Sequence, residues 1–116
     1  MRLENLIEKV NDFAEKRDWD QFHSPKNLSM ALSAESGELL DIFQWLKEEE
    51  SLKDNLDDNL REEAKDELAD IFIYLIRLSQ KLDIDLIQAA NSKLDDNKKK
   101  YPIELSKGNA TKYNRR

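Results

Sequence analysis

Apolar residues recur at steps of three and four along most of the chain, the signature of helices with one buried face. Leu3, Leu6, Ile7, Val10, Phe13 and Ala14 share such a face and predict a first helix over Leu3–Lys16. Ser24–Pro25 opens a second helix. Serine caps the first free N–H groups, and proline suits the first helical position because its missing N–H would be unpaired there anyway. Leu28, Leu32, Glu35, Leu39, Ile42 and Leu46 carry its stripe, with Trp45 at its end. The acidic stretch Glu48–Asn59 reads as a connecting loop. A third helix is expected from Asn59, with Glu62 completing a capping box. Its stripe is Leu60, Ala64, Glu67, Ile71, Tyr74/Leu75, Leu78 and Leu82. A fourth starts at the N-cap Asp85 and ends near Tyr101–Pro102, since the residue before proline resists helical dihedrals. Residues 103–116 read as an extended tail that turns at Gly108.

The expected fold is all-α: an antiparallel four-helix bundle in a single domain spanning residues 1–116. Phe43, Phe72, Ile73 and Ile76 lie beside the stripes and widen them, which fits either a broad core-facing surface or, the favoured reading, a homo-oligomer that buries a second face. Composition agrees with helices. Charged residues make up 38% and hydrophobic residues 39% of 116 residues, with two glycines and two prolines, too few for a turn-rich β-fold. No cysteine is present, which excludes disulfides, zinc–thiolate sites and thiol nucleophiles. The longest apolar run, Ile71–Ile76, is six residues, far short of a membrane span. A soluble, cytoplasmic protein is expected.

Charge is uneven. Residues 98–116 hold seven Lys/Arg against Glu104 alone, while residues 1–97 hold twelve Lys/Arg against twenty-four acids. An acidic body disfavours a nucleic-acid polymer as partner, because wrapping a phosphate backbone needs basic surface.

The informative positions are those that break the stripes. Glu35 stands between Leu32 and Leu39, and Glu67 between Ala64 and Ile71, where apolar residues are expected. Each is followed three residues later by another acid, Glu38 and Asp70, on the same helical face. Uncompensated carboxylates facing a core are costly. Pairing with bases, protonation or a bound cation are the three remedies. Lys47, Arg61, Lys65 and Arg77 fall mostly on other faces, so a divalent cation is the direct remedy. All-oxygen donors suit Mg²⁺, Mn²⁺ or Ca²⁺; Mg²⁺, which binds through few carboxylates and takes further ligands from phosphates, is the expected ion, with Mn²⁺ as a substitute. A di-iron centre needs E-x-x-H motifs on two helices, and the single histidine, His23, follows neither pair. The pairs Glu15–Asp18, Asp54–Asp57 and Glu63–Asp66 interrupt no stripe and read as solvated surface.

A Mg²⁺ cluster implies a phosphate-bearing ligand. Trp19 and His23, between the first two helices, and Trp45 are candidates to stack on a base, with packing the equal alternative for the tryptophans. Phe22 reads as core. Lys93, Asn97 and Lys100 share a face of the fourth helix, with Tyr101 one turn beyond Asn97. Such a face offers ammonium and amide donors to phosphate and sugar oxygens. The run Lys98–Lys100 alone reads as solvated. Two glycines cannot build a phosphate-binding loop.

These blocks together resemble the all-α nucleoside triphosphate pyrophosphohydrolases of the MazG type. The matching residues are Arg17–His23, Asn27–Trp45 with Glu35-Ser-Gly-Glu38, and Glu67-Leu-Ala-Asp70 with Ile71-Phe-Ile-Tyr74. Lys93–Asn97, Lys99–Pro102 and Lys112-Tyr113 extend the likeness over nearly the whole chain, nearest to the dCTP pyrophosphatase subgroup. The resemblance implies cleavage between the α and β phosphates to a monophosphate and pyrophosphate. It implies Mg²⁺ on Glu35, Glu38, Glu67 and Asp70, with Glu35 and Glu38 catalytic. Trp19, His23 and Trp45 would line the base pocket, and Tyr74, Lys93, Asn97, Tyr101 and Lys112 would meet sugar or phosphates. Homodimers or homotetramers are implied. Where vertebrate dCTP enzymes place a histidine on the first helix, this chain has Val10. The competing readings are the same reaction on dUTP or phosphoribosyl-ATP, and a non-catalytic helical interaction module.

Overall fold

A computed structural model describes residues 1–115. The chain is all-α. It comprises α1 (Leu3–Lys16), α2 (Pro25–Phe43), α3 (Asp58–Lys81), α4 (Leu86–Lys100) and the one-turn α5 (Ile103–Ser106). Short 3-10 turns cover Asp20–Phe22, Glu48–Ser51 and Tyr113–Arg115. No helix among the described residues is long and apolar enough to cross a membrane. The chain divides into two compact units, Met1–Asp83 and the segment from Ile84 onward.

In the first unit α3 packs along α2 and against α1. Glu35 meets Glu67, while Ile42 and Leu60 line one groove, so α2 and α3 run antiparallel. Val10 and Ala14 of α1, Leu28 of α2, and Ala64 and Ile76 of α3 form the buried core. The expected stripe of α2 sits on its buried side, and that of α3 does so as far as Leu78. Leu82 falls off it and is 50% exposed, because it is the C-cap where the helix already unwinds. Phe72 and Ile73 stay exposed beside the stripe, whereas Ile76 belongs to the core.

Helix ends follow local chemistry. Ser24 Oγ accepts the Asn27 N–H at 3.1 Å, with Pro25 at the first position, as the sequence predicts. The α3 cap is Asp57 rather than Asn59: its carboxylate accepts the N–H groups of Asn59 (2.9 Å) and Leu60 (3.4 Å). An ionised acceptor at a helix N-terminus also meets the positive end of the dipole, which explains the two-residue difference. α2 stops at Phe43, so Trp45 lies beyond the helix. The Leu46 N–H bonds to the Phe43 carbonyl in a tightened last turn, and Lys47 is extended. The acidic connection is partly ordered, with Glu50 accepting the Lys47 N–H at 2.7 Å.

In the second unit Asp85 caps α4 by accepting the Gln88 N–H at 3.0 Å. Tyr101 ends α4 as predicted, but the segment after it opens on the one-turn α5 rather than in extended form. Pro102 cannot continue α4, yet its fixed φ starts a new turn, and its carbonyl accepts the N–H groups of Leu105 and Ser106. The turn at Gly108 is present, with φ of 81°. Arg116, the last residue of the predicted tail, lies outside the described residues.

Candidate metal centre

α2 and α3 bring Glu35, Glu38 and Glu67 together, each offering an oxygen within 4.8 Å of the others. Glu35 and Glu67 are half-buried and Glu38 is exposed. One oxygen of Glu35 and one of Glu67 are buried without a hydrogen-bond partner. None of these acids forms an ion pair among the described residues. The Glu67 carboxyl is pushed up to about 7, first by the facing Glu35 carboxyl, then by desolvation and by Glu38. Three carboxylates this close either take up a proton or share a cation. Orphaned buried oxygens and an all-oxygen donor set fit a hard divalent cation.

The structure does not bring Asp70 into this group of three. Its side chain is one carbon shorter than glutamate, and it is exposed one turn further along α3. It lies close enough to Tyr74 to act on it. Burial pushes the Tyr74 phenol up, and the charges of Glu35 and Asp70 add to this. Glu38 and Glu67 also border a groove of about 360 Å³, continued by Asp41, Ile42, Leu60, Glu63 and Asp66. Glu63 and Asp66 are exposed, as expected, but they stand on the rim of this groove. It carries only acids as charged groups, so an anionic ligand meets repulsion there unless a cation intervenes.

Trp19 is placed by the end of α1. Asp18 adopts φ of 53°, a conformation aspartate tolerates. Its N–H bonds to the Glu15 carbonyl (3.0 Å), and the Trp19 N–H reaches the Ala14 carbonyl (3.0 Å), which closes the helix in a Schellman turn. Trp19 packs edge-on against Phe13, with ring centroids 5.5 Å apart, the apolar contact that accompanies such turns. Trp19 also meets His23 at 6.2 Å. Phe22, expected in the core, is 60% exposed because its 3-10 turn points it outward, while its carbonyl accepts from Asn27. Trp45 is 86% exposed and Val10 is buried.

Arg77 lies off the carboxylate stripe, as expected, and the structure buries it. Its guanidinium donates to His23 Nδ1, Asn11 Oδ1 and Asp20 Oδ1. The only hint in the sequence is a lone cation inside the apolar run from Ile71 to Leu78. In the second unit Lys93 and Lys112 are exposed and Asn97 is half-buried. Tyr101 packs edge-on against Tyr113 at 5.9 Å, and the Lys100 ammonium lies 5.0 Å from the centre of the Tyr113 ring.

An all-α fold with paired helical carboxylates defines the class, and the sequence agrees with it. Residues 30–115 match the MazG-like family, and the chain belongs to that family. It is 43% identical to dCTP pyrophosphatase 1 of Bos taurus over 96% of this chain and 66% of that protein. It is 39% identical to dCTP pyrophosphatase 1 of Homo sapiens over 96% of this chain and 65% of that protein. The chain thus spans just under two thirds of the length of these relatives. The crystal structure of a pyrophosphatase from Archaeoglobus fulgidus superposes with a TM-score of 0.79 at 36% identity, covering 86% of this chain and 92% of that one.

Proposed function

We propose that this chain is a divalent-cation-dependent nucleoside triphosphate pyrophosphohydrolase acting on dCTP or a modified dCTP. The observation that carries the reading is the convergence of Glu35, Glu38 and Glu67 with two buried, unpartnered oxygens. The names of the relatives support the reaction and the base. Glu35, Glu38 and Glu67 would hold Mg²⁺, with Asp70, one turn further along α3, as a fourth ligand. Mn²⁺ is a workable substitute. When bound, the cation screens the triphosphate charge and polarises phosphoryl oxygens.

The residues do the rest. A water oxygen bonds to phosphorus, the α–β bridging P–O bond breaks, and nucleoside monophosphate and pyrophosphate leave. Glu35 or Glu38 accepts the proton of that water. Phosphoryl transfer asks mainly for positioning and charge stabilisation, so no covalent nucleophile is needed. Trp19, His23 and Trp45 line the base, while Tyr74, Lys93, Asn97, Tyr101 and Lys112 serve sugar and phosphates. The exposed Leu40, Leu68, Phe72 and Ile73 support a homodimer or homotetramer. We place the activity in the cytoplasm, in the service of nucleotide-pool housecleaning.

The test is a panel of nucleoside triphosphates with Mg²⁺, quantifying monophosphate and pyrophosphate. Strongest turnover of dCTP or its 5-substituted analogues is expected. The same products from dUTP instead would keep the reaction and change the base. If no triphosphate is hydrolysed, and none raises the melting temperature with Mg²⁺ or Mn²⁺, the reading as an enzyme fails in favour of a binding module.

A further inference from the structure

Arg77 is the one charged side chain that is buried among the described residues. A buried cation is tolerated only when it is paired and its donors are used. Nη2 donates to Asp20 Oδ1 (3.0 Å), and Nη1 donates to Asn11 Oδ1 (3.0 Å). Asp20 also accepts from the Lys81 ammonium. Lys81, then Arg77, holds the Asp20 carboxyl below its usual range. These oxygens satisfy the charge.

The third partner is of a different kind. Nε donates to a ring nitrogen, His23 Nδ1, at 3.2 Å. Nδ1 accepts only when it carries no proton, so a neutral ring bears its single N–H on Nε2. Flipping the ring would set a C–H against the guanidinium and leave a buried donor unpaired. Nε2 makes no hydrogen bond within the described residues, and the ring packs edge-on to Trp19. The groups around the ring favour its neutral form: burial first, then the charges of Arg77 and Lys81, with Asp20 opposing them.

We propose that Arg77 is a positioning residue for base recognition: its Nε–H fixes His23 as a ring that offers a donor at Nε2, so the base is read there through an acceptor atom. This rests on the reading of His23 and Trp19 as base-lining. The ligand class is a base presenting a keto oxygen or an unprotonated ring nitrogen at that point, as cytosine does with O2 and N3. The opposite tautomer would present an acceptor and select an exocyclic amine instead.

His23 is the chain's single histidine, so protein labelled with ¹⁵N-histidine gives one imidazole spin system. In the wild-type chain at pH 7.5 we expect a protonated Nε2 and an unprotonated Nδ1. The imidazolium should form with a midpoint below the ordinary 6.5. A non-hydrolysable dCTP analogue with Mg²⁺ should shift the Nε2 signal. Arg77→Lys keeps the charge and loses the planar fork. Its His23 should populate both tautomers and titrate at higher pH. Loss of one recognition hydrogen bond should raise KM roughly fivefold to tenfold with kcat little changed. Asp20→Asn loosens the same network without touching Nδ1, and should lower the melting temperature while Nε2 keeps its proton.

A wild-type ring protonated at Nδ1, or charged at pH 7.5, overturns the proposal even if Arg77→Lys does not fold. So does a folded Arg77→Lys with wild-type titration and KM. Hydrolysis without any response of Nε2 to the analogue overturns it and leaves the pyrophosphohydrolase reading standing. The expected spectrum with neither hydrolysis nor response overturns both.

Discussion

Glu35 and Glu67 face each other from antiparallel helices, and each keeps one carboxylate oxygen buried where no donor meets it. Without a cation, the pair is relieved by a proton on Glu67, whose carboxyl rises from an ordinary 4.5 to about 7. The sign of the pH dependence follows. Between these two values the folded chain holds a proton that the unfolded chain has released. Metal-free stability from this group is therefore full below about pH 4.5 and is lost as pH rises through about 7. Glu67→Gln should remove this slope. Melting temperatures of chelator-treated wild type and variant across pH 5–8.5 check it.

Cation binding should show the mirror image, because the proton and the metal compete for the same oxygens. Mg²⁺ or Mn²⁺ should raise the melting temperature more at pH 8 than at pH 6. Glu38→Gln should lose most of that rise while keeping its helical circular dichroism. Equal stabilisation of wild type and Glu38→Gln would place the cation elsewhere.

Trp45 offers a clean separation of packing from ligand contact. At 86% exposure, its removal should change stability by no more than about 0.5 kcal/mol. If it stacks on the base, Trp45→Ala should weaken nucleotide binding by about 1–3 kcal/mol, read as a higher KM. Unchanged KM would remove Trp45 from the pocket.

The stability of the scaffold rests on other residues. Leu28 is 1% exposed, and Leu28→Ala should cost about 2–5 kcal/mol. Asp57→Ala removes the α3 cap and should cost about 1 kcal/mol. Urea denaturation of both variants measures this. Comparable losses at the two positions would contradict the assigned core.

What was legible in the sequence was periodic. The stripes placed α1 to α4 within a few residues, and Glu35 and Glu67 stood out because acids occupied positions that helical spacing reserves for apolar groups. Local competition was harder to read. Asp57 outbid Asn59 as the α3 cap, and Pro102 restarted a helix where a tail was expected. Asp70 has the right spacing, yet its reach depends on a side-chain rotamer, which periodicity does not fix. Phe22 looked like core by type, but a 3-10 turn decides where it points. Arg77 carries little local signal, because its partners Asn11, Asp20 and His23 lie more than fifty residues away in the chain.

³¹P NMR of dCTP incubated with the protein and Mg²⁺ tests most directly whether the carboxylate cluster serves α–β cleavage. dCMP and pyrophosphate are expected as the only products, with turnover lost on chelation and in Glu38→Gln. Orthophosphate with dCDP, or turnover that survives both chelation and Glu38→Gln, would contradict it.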